Sequence, residues 1–238
     1  MFDSIITRFA TPAAFAAYLS AFPPPTWSNH RVIGSTVHNT YKPVEADWRG
    51  FRSMQGMQAD YEQKGWTSGP HAYLACHSPN PQDDGIWMMT PPIRPGTHAG
   101  PCNSWRFGLE VVGDFQTRRW SAVQRELLLG TLVVLHRWAK LGADIVGHRD
   151  CMAGRTCPDN AAYADLGALR TDLANELAQQ RTARVRGAAV YQRRDCTGPV
   201  ARIVPSGERI TIDRDYGDGI VHLADGSGFM RKVETDLL

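Results

Sequence analysis

Three side chains in this sequence could hold a metal ion between them: His38 in "STVHNT", His148 in "DIVGHRD" and Cys157 in "GRTCPDN". Two imidazoles and a thiolate, with a fourth position left for water or substrate, make a donor set of the catalytic zinc kind. Structural zinc sites instead close all four positions with protein. A zinc ion so held polarises a carbonyl and makes water acidic enough to attack it near neutral pH, which is hydrolytic chemistry. Each residue also has a plainer reading: His38 as a turn cap, His148 as a strand-end histidine bonded to neighbouring backbone, Cys157 as a small buried hydrophobe. The residue types leave both readings open.

For these residues to meet, the elements carrying them must converge on one sheet edge. "RVIGSTVHNT" is β-branched and apolar and reads as a buried strand with His38 at its C-terminal end. "DIVG" is a second short strand that delivers His148 into a loop, and Cys157 follows in that loop, fixed by Pro158. Around them the pattern predicts a helix over Thr11–Ala21, stopped by "FPPPTW", and a helix over residues 48–64 with Trp48, Phe51, Met54, Met57, Gln58 and Tyr61 at helical spacing. "HAYLACHS" and "GIWMMTPP" read as a hairpin across "PNPQDDG", and "RFGLEVVGDF" as another buried strand. "SAVQRELLLGTLVVLHRWAKLG" is a helix buried against a sheet, with Ser121 and Gln124 as a capping box and Gly142 as its stop. A last helix over Tyr163–Arg181 sets Leu166, Leu169, Leu173 and Leu177 on one face.

Beyond it the pattern changes. "TARVRG" reads as a basic, structureless bridge, and residues 187–238 as short strands broken by Gly and Asp turns. The expected fold is therefore α/β, a mixed central β-sheet flanked by helices over residues 1–182, followed by a small β-barrel over 187–238.

The composition, 42% hydrophobic and 21% charged with seven tryptophans, is that of a folded globular protein and excludes a disordered chain. A net charge of +2 from 26 basic and 24 acidic residues gives no basic stripe, so no nucleic-acid partner is expected. No stretch is long and apolar enough for a membrane span, and "MFDSIITRFATPAAFAAYLSAF" lacks the basic start of a secretion signal. These features predict a chain made in the bacterial cytoplasm without a signal peptide, and a monomer is expected. Five cysteines, at 76, 102, 151, 157 and 196, do not read as a disulfide framework, and Cys151 reads as a bystander thiol.

"VHNT", "THAG", "FGLEVVGDF" and "GHRD…RTCP", in this order across residues 33–158, resemble the successive signature blocks of the zinc-dependent N-acetylmuramoyl-L-alanine amidases. That group includes phage amidase endolysins, cytoplasmic muropeptide-recycling amidases and animal peptidoglycan recognition proteins. The resemblance implies that His38, His148 and Cys157 bind Zn²⁺, with cysteine as in the endolysin branch where recycling enzymes use aspartate. It places Glu110 as general base for the attacking water and proton carrier to the leaving amine, its plainer reading being a strand glutamate satisfied by an arginine such as Arg106. Arg155 stands where the family carries a lysine; a guanidinium can stabilise an oxyanion but cannot give up a proton. Asn39 and His98 would line the groove and contact glycan strand or stem peptide.

The sequence departs from the endolysin pattern at Pro70, where a tyrosine is expected before His71. Tyr73, on the same strand face as His71, reads as core. His136 reads as a satisfied core histidine, and Trp66, Trp87 and Trp105 as walls of core or groove.

The C-terminal segment resembles the bacterial SH3-like modules that hold peptidoglycan, with Arg193 and Arg194 as its binding face. Together these features imply an endolysin of phage or prophage origin, reaching the cell wall once a partner permeabilises the membrane. The alternatives are a peptidoglycan-binding protein of the same fold without activity, and a recycling or antibacterial effector amidase. Retention of all three ligands speaks against the first, and the appended barrel against recycling.

Overall fold

The computed structural model describes residues 5–27 and 30–178 and, beyond them, seven strands between residues 181 and 237. The chain divides into two compact units, Met1–Leu177 and Ala178–Leu238.

The first unit is built on a six-stranded mixed sheet. Its strands are β1 (Thr7–Phe9), β4 (Gly34–Asn39), β5 (Ala72–Ala75), β6 (Gly85–Met88), β7 (Arg106–Val111) and β8 (Ile145–Gly147), in the spatial order β1-β6-β5-β7-β4-β8. The predicted hairpin is present as the antiparallel β5–β6 pair, whereas β5, β7, β4 and β8 run parallel to one another. A two-strand ribbon, β2 (Thr26–Trp27) with β3 (His30–Arg31), precedes β4. The edge strand β1 was not expected, because three residues, "TRF", are too few to show an alternation.

Alternation along the central strands sends successive side chains to opposite faces. One set, with Val37, Phe107, Leu109 and Val111, enters the larger core against the helices α1 (Pro12–Leu19), α3 (Ala122–Ala139) and α6 (Leu166–Ala178). Each fully buried side chain of this size contributes about 1.5–3 kcal/mol through removal of apolar surface from water. A second core of Trp48, Met54, Tyr73, Ala75, Trp87, Met89 and Val112 packs with Met57 and Tyr61 of α2 (Phe51–Gln63).

Thr11 caps α1, and Ser121 and Gln124 form the expected capping box on α3. The stop of α3 is a correction: Lys140, at φ +55°, takes the left-handed position two residues before Gly142. Gly142 instead offers its carbonyl to His136 Nδ1 at 2.6 Å, and Ser35 Oγ lies 2.9 Å from His136 Nε2, so His136 is satisfied in the core as expected. The predicted last helix is split into α5 (Asn160–Ala164) and α6.

In the second unit, β9 (Arg181–Val185), β10 (Ala188–Tyr191), β11 (Val200–Val204), β12 (Arg209–Asp215), β13 (Ile220–Leu223), β14 (Phe229–Arg231) and β15 (Thr235–Leu237) form an antiparallel sheet in the order β11-β10-β14-β13-β12-β9-β15. "TARVRG" is therefore not a structureless bridge; most of it is β9, whose backbone groups are taken up by β12 on one side and β15 on the other. Arg193, Arg194 and Cys196 lie outside the described residues. Among the described residues no helix is long and apolar enough to cross a membrane.

Candidate metal centre

The register of the parallel strands sets out the site. Across the sheet, His38 of β4 pairs with Glu110 of β7, Glu110 with Tyr73 of β5, and Tyr73 with Trp87 of β6, so the four side chains form one row on the α2 face. One residue further back along β4, Val37 pairs with Gly147, which ends β8 and hands the chain to α4 (His148–Cys151), with His148 as its first residue. A Cβ on Gly147 would lie 2.9 Å from Pro158 Cδ and 3.0 Å from the Tyr163 ring, so only glycine lets the loop carrying Cys157 fold back there.

Sequence reasoning missed the residues that pin this loop. Arg149 donates from its backbone N–H to the Cys157 carbonyl at 3.0 Å and from Nε to the Thr156 carbonyl at 2.9 Å, while its guanidinium covers the Tyr163 ring. Asp150 accepts from Gly147 N–H at 2.8 Å and from the Tyr163 hydroxyl at 2.7 Å. A charged side chain two or three residues from a candidate ligand, as in "GHRD", is the sequence signal that could have found them.

The result is convergence: one donor atom each from His38, His148 and Cys157 lies within 4.8 Å of the others, the one such trio found among the described residues. The two imidazole rings are 4.7 Å apart, and His38 Nδ1 stands 3.8 Å from Cys157 Sγ and 4.0 Å from Glu110 Oε1. The donor set fits a zinc ion. His38 is held well below the usual histidine range by burial and then by His98 and His148, and His148 is lowered by burial and then by the Arg155 charge. Both imidazoles are therefore neutral and ready to coordinate at neutral pH. Burial raises the Cys157 thiol, with Glu110 adding to it, so metal must displace its proton.

Burial alone pushes the Glu110 carboxyl up to about 8. Arg106 does not neutralise it: that guanidinium pairs with Asp144 at 2.8 Å. Tyr73 is buried, as expected, with its hydroxyl 2.8 Å from that of Tyr61, on which Trp66 stacks at 5.0 Å. Trp87 is buried in the smaller core and Trp105 is 40% exposed. Arg155 lies on the exposed part of the loop, where its charge is felt by His148.

The two groove residues are placed differently from expectation. Asn39 is buried beneath Cys157: its backbone N–H points at Sγ at 3.4 Å, its Oδ1 accepts from the thiol at 3.1 Å, and its Nδ2 donates to Asp159 Oδ2 at 2.7 Å. His98 is buried behind His38, with both ring nitrogens engaged. Neither offers a free polar atom to a groove, because each is spent on contacts to a member of the trio or its loop.

Cys151 is a second correction. It is bonded to Cys102, which lies in the 3₁₀ turn Gly100–Ser104, and is not a bystander thiol. The bridge ties the segment after His98 to the end of the helix that begins with His148. With the partners 49 positions apart, its removal in a Cys102→Ser/Cys151→Ser variant is expected to cost about 2–4 kcal/mol, read as a lower midpoint in denaturant under non-reducing conditions. An unchanged midpoint would show that the bridge restrains nothing.

A donor trio that could hold a metal ion thus stands beside a buried carboxylate, at the ends of parallel strands in a mixed sheet. The sequence signature described as N-acetylmuramoyl-L-alanine amidase matches residues 28–160, more than half of the chain and all seven site residues named above, and the chain belongs to that family. Among solved structures, N-acetylmuramoyl-L-alanine amidase LysC from Clostridium intestinale URNW is 22% identical, with a TM-score of 0.50 over 61% of this chain and 87% of its own. Drosophila PGRP-LB is 17% identical, with a TM-score of 0.50 over 71% of this chain and 87% of its own. At these identities the likeness is one of fold. No curated protein matches the chain.

Proposed function

We propose that this protein is a zinc-dependent amidase that hydrolyses the bond between the lactyl group of N-acetylmuramic acid and the L-alanine of the stem peptide. The observation that carries the reading is the convergence of His38, His148 and Cys157 within 4.8 Å beside the buried Glu110, in a chain of the amidase family.

A zinc ion held by these three residues supplies Lewis acidity towards the scissile carbonyl and acidity to water. Glu110, one row position from His38, takes a proton from the attacking water and returns it to the alanine nitrogen as the C–N bond breaks. A carboxyl raised by burial is suited to carrying a proton both ways near neutral pH. Arg155 adds positive charge at the open side of the loop for the developing oxyanion.

The antiparallel strands β9–β15 are assigned to an SH3-like module that holds peptidoglycan, supported by the seven short strands paired in one sheet. On this reading the amidase and the module together act as an endolysin of phage or prophage origin.

The test is digestion of purified peptidoglycan by the full chain, with and without chelator and restored zinc, followed by mass spectrometry of the new ends. Free lactyl carboxylates and N-terminal L-alanine, lost with chelator and recovered with zinc, are expected. Chelator-insensitive release or new reducing sugar ends would overturn the reading.

A further inference from the structure

A neutral imidazole offers a metal one nitrogen, and which one is decided by the hydrogen bond that the other makes. For His38 that bond runs away from the trio: its Nε2 lies 3.1 Å from His98 Nδ1, and His98 Nε2 lies 3.1 Å from the Arg106 carbonyl oxygen. A carbonyl oxygen only accepts, so His98 Nε2 carries the hydrogen. A neutral His98 then presents a bare Nδ1, and His38 Nε2–H must donate to it. The nitrogen of His38 left bare is Nδ1, the one that stands 3.8 Å from Cys157 Sγ.

The position of His98 is itself built. Its backbone N–H and that of Ala99 both donate to Asn103 Oδ1, at 2.9 and 2.7 Å, which closes the loop around the ring. The ring lies flat on the backbone of Gly108 in the middle of β7. A Cβ at Gly108 would stand 2.5 Å from His98 Cγ, 2.6 Å from Cδ2 and 2.9 Å from Nδ1, contacts no side chain tolerates. Glycine in a strand interior weakens the strand and marks a close approach, and here the thing approaching is an imidazole. The Gly108 N–H donates to His71 Nδ1 at 2.9 Å, and His71 Nε2 faces the Arg94 carbonyl at 3.0 Å, so the second buried histidine is locked on the same glycine.

We infer that His98 is a positioning residue that sets the tautomer and ring orientation of His38, and that Gly108 is the residue that makes room for it. One backbone carbonyl, that of Arg106, thereby determines which atom of a histidine two bonds away faces the trio. The tautomer follows from these contacts with the buried His98 ring neutral; its consequence for metal affinity rests on the zinc reading above.

The experiment has two readouts on the full-length protein. In the metal-free state, ¹⁵N correlation spectra of the imidazoles are expected to show His38 and His98 each as a single Nε2–H tautomer. His98→Ala should leave His38 in a mixture, and His98→Asn, whose Oδ1 can occupy the place of Nδ1, should keep His38 as Nε2–H. In competition with a chromophoric chelator, zinc affinity should fall about 10–100-fold in His98→Ala and in Gly108→Ala, and recover largely in His98→Asn. An Nδ1–H tautomer at His38 in the wild type, or an unchanged single tautomer in His98→Ala, overturns the inference. So does wild-type zinc affinity in His98→Ala. A wild type that binds no zinc would count against the zinc reading instead, and the tautomer readout would still decide this one.

Discussion

Cys157→Ser is expected to lower turnover of peptidoglycan by about a thousandfold or more, since loss of a metal's contribution of several kcal/mol to the transition state corresponds to a factor of that size. The substitution changes one atom. A serine hydroxyl keeps the shape and the bond to Asn39 Oδ1, but it does not give up its proton to become a ligand at working pH, whereas a thiol does once metal is present. The thiol's raised pKa adds a second signature: zinc uptake by the wild type should release a proton, with apparent affinity rising as pH rises. Calorimetry in two buffers of different ionisation heat reads that proton directly, and Cys157→Ser should lack it. Full activity in the variant, or proton-neutral zinc binding in the wild type, would remove Cys157 from the site.

Glu110→Gln is the second large effect. Glutamine fills the same volume and keeps hydrogen-bonding capacity, but it cannot hold the transferred proton, so turnover should fall about 10²–10⁴-fold while zinc affinity stays near that of the wild type. The same substitution carries a stability prediction with a definite sign. Burial pushes the carboxyl from its ordinary 4.5 up to about 8 in the folded metal-free protein. Below pH 4.5 it is protonated in both states. As pH rises through the window to about 8 the unfolded state sheds its proton and the native state retains it, so the wild type loses stability across that window. Glu110→Gln has no such loss. The stability difference in favour of the metal-free variant should therefore grow from pH 5 to pH 8 and level off above. Bound zinc, a cation beside the carboxylate, should shrink that growth. Thermal melts of both proteins at several pH values test it, and a difference that is flat with pH would contradict the burial of this group.

The trio was legible because each member stands at an element's end: His38 closes a β-branched strand, His148 follows "DIVG", and Cys157 sits in the loop beyond. Glu110 was legible only through the resemblance carried by "FGLEVVGDF". Illegible were interactions whose partners share no local pattern. Asn39 and Asp159 meet across 120 residues of chain, and Cys102 and Cys151 across 49, with nothing in either neighbourhood to announce the other. The place of His98 in the "THAG" block points to the groove; that the ring is buried depends on the absence of a Cβ at Gly108 on a different element. Asp159 illustrates the same difficulty at the backbone level, since its φ of +69° is unusual for a non-glycine residue and its carboxylate accepts from Asn39, remote in sequence.

The pairing of His38 with Glu110 across β4 and β7 makes the chemistry a readout of strand alignment. If β7 slid by one residue along β4, Leu109 or Val111 would take the place beside His38, and the carboxylate would be turned into the apolar core against α3. Such a species would keep its helices, much of its compactness and all three candidate ligands, yet on the proposed mechanism have no group to carry the proton. Specific activity per bound zinc, measured after refolding, would then count the molecules whose sheet has closed in the correct register, which circular dichroism cannot distinguish from those whose sheet has not.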